Sequence, residues 1–89
     1  MHAIVVRVSI SDVESAQKAL EEVVVPRVSG APGFVAGYWT RSSDGSNGQS
    51  MIVFESEDAA RTVADLVRET VPEEVTLESV EVREVVTSA

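Results

Sequence analysis

Apolar and polar residues alternate near the start of the chain: Ile4, Val6, Val8 and Ile10 share one side of an extended segment, and Ala3, Val5, Arg7 and Ser9 share the other. A period of two marks a strand, predicted here over residues 3–10 with His2 on the Ile4 side. That side is expected to be covered by helices, and the more mixed opposite side to meet water or another subunit. The period then changes. Val13, Ala16, Leu20, Val23 and Val24 recur at helical spacing, while Glu14, Lys18, Glu21 and Glu22 point elsewhere. Ser11-Asp12-Val13-Glu14 has the form of a capping box, with the Ser11 hydroxyl accepting from the Glu14 N–H and the Glu14 carboxylate reaching back to the Ser11 N–H. The helix is predicted over 12–25, with a distorted final turn reaching Val28 or Ser29. Pro26 cannot donate to the carbonyl four residues back, and the valines at 23–25 are β-branched.

Gly30-Ala31-Pro32-Gly33 turns the chain into a second strand, Phe34 to Arg41. Alternation there puts Phe34, Ala36, Tyr38 and Thr40 on one face and Val35, Gly37, Trp39 and Arg41 on the other. Gly37 inside a strand signals a bulge or the close approach of another group. Ser42 to Gly48 carries both Asp-Gly and Asn-Gly, strong hairpin signals, so a third strand at about 49–55 is expected as an antiparallel neighbour of the second. Ser56 reads as a second N-cap, with Glu57 and Asp58 where the helix dipole favours negative charge. Ala59, Ala60, Val63, Ala64 and Val67 form a narrow stripe of small residues that lets this helix lie close to a sheet, and Pro72 ends it. A last strand begins near Val75, where the Val85-Val86 pair breaks the alternation as a bulge or tail. The order is βαββαβ, the ferredoxin-like α+β plan: a four-stranded antiparallel sheet in the order 4-1-3-2 with two helices on one face.

Eighty-nine residues form a single small domain, 1–89. With 44% of residues apolar and 4% aromatic, the core is built mainly from Val, Ile, Leu and Ala. A net charge of −8 argues against nucleic acid, which needs a basic footprint, and against anionic membrane surfaces. No segment approaches the ~20 apolar residues of a membrane span. Nothing resembles a signal peptide, so a soluble, cytoplasmic protein is expected. The absence of cysteine removes disulfides, thiolate metal sites and thiol nucleophiles, and a lone histidine removes triads and multi-histidine metal sites.

The run Ala31-Pro32-Gly33-Phe34-Val35-Ala36-Gly37-Tyr38-Trp39, followed by Met51-Ile52-Val53-Phe54-Glu55-Ser56-Glu57-Asp58-Ala59-Ala60, resembles the dimeric α/β-barrel superfamily, which includes the antibiotic-biosynthesis monooxygenase-like proteins. The resemblance implies a homodimer whose sheets pack face to face into a barrel, and a small apolar cavity between sheet and helices in each subunit. It also implies a cofactor-independent, monooxygenase-like protein that binds or oxidises a small apolar or aromatic molecule. The haem-degrading branch relies on an Asn on the first strand, a Trp on the third and a His on the second helix. None of these is present here, and no cofactor is expected.

No residue is assigned a catalytic role, and four are candidates for ligand binding. His2 would act as a lone base at the barrel mouth, or is a solvent-facing terminal residue. Tyr38 and Trp39, adjacent on a strand, face opposite sides; each lines a pocket or serves the core or the dimer interface. If a pocket exists, the gap beside Gly37 places it near this pair. Arg7, a mid-strand charge, holds an anionic ligand or pairs with a carboxylate such as Glu78, Glu81 or Glu84. Glu73-Glu74 and Glu55-Glu57-Asp58 lack the spacing of a calcium loop, and no metal site is expected. Two readings stay open: a ligand-binding or oxidising dimer, which needs a mostly apolar cavity with a convergent polar group, and a non-enzymatic module with a filled interior.

Overall fold

The computed structural model describes residues 1–73 and 75–89. Among them, β1 (His2–Ile10), β2 (Phe34–Arg41), β3 (Asn47–Phe54) and β4 (Val75–Glu84) form one antiparallel sheet in the order β2-β3-β1-β4. This is the expected 4-1-3-2 order read from the other edge. The helical segments α1 (Val13–Ala19), α2 (Val25–Ser29) and α3 (Glu57–Glu69) cover one face; α3 packs on β1, β3 and β4, and α2 on β2.

The first helical segment departs from expectation at both ends. Its N-cap is Asp12 rather than Ser11: Asp12 is extended, and its carboxylate accepts from the Ser15 backbone N–H and hydroxyl, each at 3.2 Å. Asp12 stands three residues before Ser15, the spacing a capping carboxylate needs to reach the first free N–H groups. The distortion assigned to the final turn instead occupies Leu20–Val24, a π-helical turn between α1 and α2. There the Val25 N–H donates to the Leu20 carbonyl, so the helix winds wider just before Pro26, which has no N–H to offer. At the second helix the Ser56 hydroxyl accepts from the Ala59 N–H at 3.1 Å, as its sequence predicts.

Two bulges fix which side chains face the helices. In β2 the register slips at Val35: Phe34 sits opposite Phe54, and Ala36 opposite Val53. Phe34 therefore shares the helix-covered face with Gly37 and Trp39, not the face of Tyr38 as simple alternation predicts. Its ring meets Phe54 edge-on, with centroids 6.1 Å apart. In β4 the slip falls at Glu78, between the Arg7–Ser79 and Val8–Leu77 pairs, which turns Leu77, Val80 and Val82 all toward the core. The strand ends at Glu84, so the Val85-Val86 break lies beyond it; the Val85 N–H donates to the Met1 carbonyl at 3.0 Å.

The core fills only one end of the layer between sheet and helices. Ile4, Ile52 and Phe54 are fully buried against Ala60, Val63 and Ala64 of α3, with Val28 of α2 beside them. Burying each of the three large side chains contributes about 1.5–3 kcal/mol. The small alanines bring α3 close to the sheet at this end. At the other end no comparable contact closes the gap.

Candidate functional site: a cavity between sheet and helices

The unfilled end is a cavity of about 560 Å³. The cross-strand registers lay out its floor: one row runs Trp39, Ser50, Val6 and the next Arg41, Gly48, Val8, Leu77, with Ile10 and Val75 beyond. Ser50 brings little bulk to the middle of the floor, whereas the room over Gly48 is taken by Val8 and Ile10. One wall is Ala16, Leu20, Val23 and Val24, so the π turn presents its apolar side inward. The opposite wall is Leu66 and Val67 near the end of α3, with Thr70, Val71 and Pro72 following. Helical turns of the π type often accompany binding sites, because a widened turn displaces side chains from regular spacing.

Most of the polar groups sit on the β2–β3 side, with Gln17, Arg27 and Thr70 on the helical side. The Ser50 hydroxyl and the Trp39 indole N–H have no hydrogen-bond partner among the described residues. Both are therefore free to meet a bound molecule. Arg41 stands at the lip, where its Nη1 donates to Gln17 Oε1 at 3.2 Å. The Gln17 amide in turn donates to Glu21 Oε1 at 2.7 Å, which orients the Gln17 carbonyl oxygen toward the arginine. The titratable side chains lining the cavity are Arg27 and Arg41; no described carboxylate or imidazole lines it.

Of the four residues proposed from sequence, only Trp39 lines this cavity. Tyr38 lies on the helix-free face and is 71% exposed. Arg7 is on that face too, between Gln49 and Ser79, exposed and without an ion pair among the described residues. The carboxylate partners suggested for it are not in place: Glu81 accepts instead from Arg83 on its own strand. His2 is half-buried at the filled end, with Nε2 3.9 Å from Glu57 Oε1 and a buried Nδ1 that lacks a partner, so it is not simply solvent-facing. Arg61 beside Glu57 holds that carboxyl below its ordinary range. The four side chains are not brought together.

The space expected beside Gly37 is occupied by the indole of Trp39, and the cavity opens beyond that ring. Arg41, Gln17 and Ser50 were not recognised from sequence, although Arg41 follows Trp39 by two positions and so shares its face. Among the described residues no group of three His, Asp or Glu could hold a metal ion, and Glu74 lies outside them.

No family model and no curated protein matches the sequence. Solved structures do match. HapK from Hahella chejuensis superposes with a TM-score of 0.73 at 17% identity, over 100% of this chain and 96% of that one. A dimeric ferredoxin-like protein from an uncultured marine organism superposes with a TM-score of 0.70 at 12% identity, over 100% and 98% of the two chains. The chain therefore has a ferredoxin-like fold, with four antiparallel strands and its helices on one face. In this ferredoxin-like fold the helix-free sheet face is the one left for a second layer. Here it carries Tyr38, Met51, Val5 and Glu81 in one cross-strand row and Ala36, Val53, Ala3 and Arg83 in the next. No described helix is long and apolar enough to cross a membrane.

Proposed function

We propose that this chain forms a homodimeric α/β-barrel protein that binds a small apolar or aromatic molecule in the cavity between its sheet and helices. The observation that carries the reading is the cavity itself: about 560 Å³, with mainly apolar walls, an indole at one side and unpaired polar groups at Ser50 and Trp39. Ligand sites usually have this volume, this apolar lining and a few orienting polar groups. A tightly filled interior would have favoured a purely structural module.

Binding is better supported than turnover. A cofactor-free oxidation starts by ionising the bound molecule, which calls for a base, and the lining side chains that titrate are both arginines. Dimerisation is supported by the exposed Tyr38 and Met51 on the helix-free face and by the dimeric state of one structural neighbour. A lone domain leaves these two side chains in water, at a cost that a second copy removes.

Trp39 is the only tryptophan, so it reports binding directly. Titration with 2-naphthylmethanol, a neutral aromatic probe, is expected to quench its fluorescence saturably. Ala16→Phe, which puts a ring into the cavity from α1, is expected to abolish the effect. A native protein that fails to bind, or a filled variant that binds unchanged, overturns the reading.

A further inference from the structure

The charges around the cavity are sorted against the composition of the chain. The protein carries fifteen acidic residues and only seven lysines and arginines. Yet the charged side chains lining the cavity are Arg27 and Arg41, and no described carboxylate joins them. A surface with twice as many acids as bases would present acids at a cavity lip unless position excluded them. Acids do stand just outside: Glu14 and Glu21, with Lys18, border a shallow groove on the outer side of Arg41.

Arg41 is not consumed by those acids. It makes no ion pair among the described residues. Its side-chain hydrogen bond goes to the neutral Gln17 amide, itself tied to Glu21. The acid is therefore satisfied through the amide, and most donors of the guanidinium stay open. A guanidinium has five N–H donors in a planar fork matched to a carboxylate. It sits two residues beyond Trp39 on one strand face, so a ring against the indole would carry its substituent toward the lip.

We infer that the cavity selects an amphipathic anion, an aromatic or alicyclic carboxylate whose apolar body lies along Trp39 and the π turn and whose charge is held by Arg41. The inference rests on the proposed binding function and adds the chemical class of the ligand. The negative field of the rest of the protein opposes any anion, so the preference depends on a local cation placed at the lip.

The test compares 2-naphthoate with 2-naphthylmethanol, which share a ring system and differ in charge at neutral pH. Native protein is expected to bind the carboxylate about tenfold more tightly, the scale of one charge-assisted contact at a half-open site. Arg41→Gln is expected to weaken naphthoate about tenfold and the alcohol by less than about threefold, while Arg41→Lys keeps part of the preference. If the alcohol binds as tightly as the carboxylate to native protein, the anion inference falls and the cavity reading stands. If Arg41→Gln keeps the full preference, the assignment to Arg41 is overturned. If neither probe binds, both the inference and the cavity reading fall.

Discussion

The indole of Trp39 lies against the backbone of Gly37, two residues earlier on the same face of β2. A Cβ at Gly37 would stand 2.8 Å from Trp39 Cη2 and Cζ3, and 3.5 Å from the Phe34 ring. The glycine is therefore the seat of the indole, and the indole is the boundary between the filled end of the core and the cavity.

Gly37→Ala should push the ring out of its seat and into the cavity. The strand gains β propensity but loses a packed contact, for a net loss of about 1 kcal/mol in urea unfolding. Naphthyl probes should bind at least about tenfold more weakly, because the displaced ring takes their place. Unchanged Trp39 emission together with unchanged binding would contradict the seat.

The helix-free face makes a separate prediction. Met51, 48% exposed, lies between Tyr38 and Val5 in one cross-strand row. Met51→Glu places a charge at the middle of the proposed dimer contact, where an unpaired carboxylate costs several kcal/mol on desolvation. Sedimentation equilibrium at micromolar concentration should give a dimer for the native protein and a monomer for the variant. A native monomer, or a variant that remains dimeric, would contradict it.

The hairpin loop predicts a pH dependence. Asp44 Oδ1 accepts from the Ser46 N–H at 2.9 Å, the Ser46 hydroxyl at 2.7 Å and the Ser42 hydroxyl at 2.8 Å. These bonds, the Ser46 backbone bond first, lower its pKa from 3.8 to about 2. A carboxyl with a lowered folded-state pKa contributes stability above its unfolded value and loses it as pH falls through the folded value. The stability gap between native protein and Asp44→Asn should therefore be full above about pH 4 and shrink toward pH 2. An Asp44 carboxyl that titrates in NMR at its ordinary value would contradict this.

The cap on α1 is tested by Asp12→Ala, which should cost about 1 kcal/mol through the lost contacts to Ser15. Equilibrium unfolding in urea measures it, and an unchanged midpoint would argue against Asp12 as the cap.

Much of the fold was legible because its signals are local. The alternation through Ile4, Val6 and Val8, the Asp44-Gly45 turn with Gly45 at φ +77°, and the Ser56 cap each depend on neighbours in sequence. What alternation missed were single-residue slips. Val35 shows as an extra residue only in the pairing, whereas at Glu78 the spacing from Leu77 to Val80 already breaks period two. The π turn belongs to the same class: Pro26 marks a disturbance, but packing decides on which side it falls. The site was less legible. Both sheet faces carry apolar residues, so sequence could not assign Trp39 to one, and a cavity is a failure of packing between distant segments. Arg41 at a strand end reads as a solvated charge until the indole beside it is placed.

The most direct test of the central claim is an amide NMR titration of the native protein with 2-naphthoate. Binding in the cavity predicts saturable shifts at Leu20, Val24, Trp39, Arg41, Thr70 and Leu77, which come from separate segments and meet only there. Shifts confined to Val5, Tyr38 and Met51 on the helix-free face, or no saturable shifts at all, would contradict it.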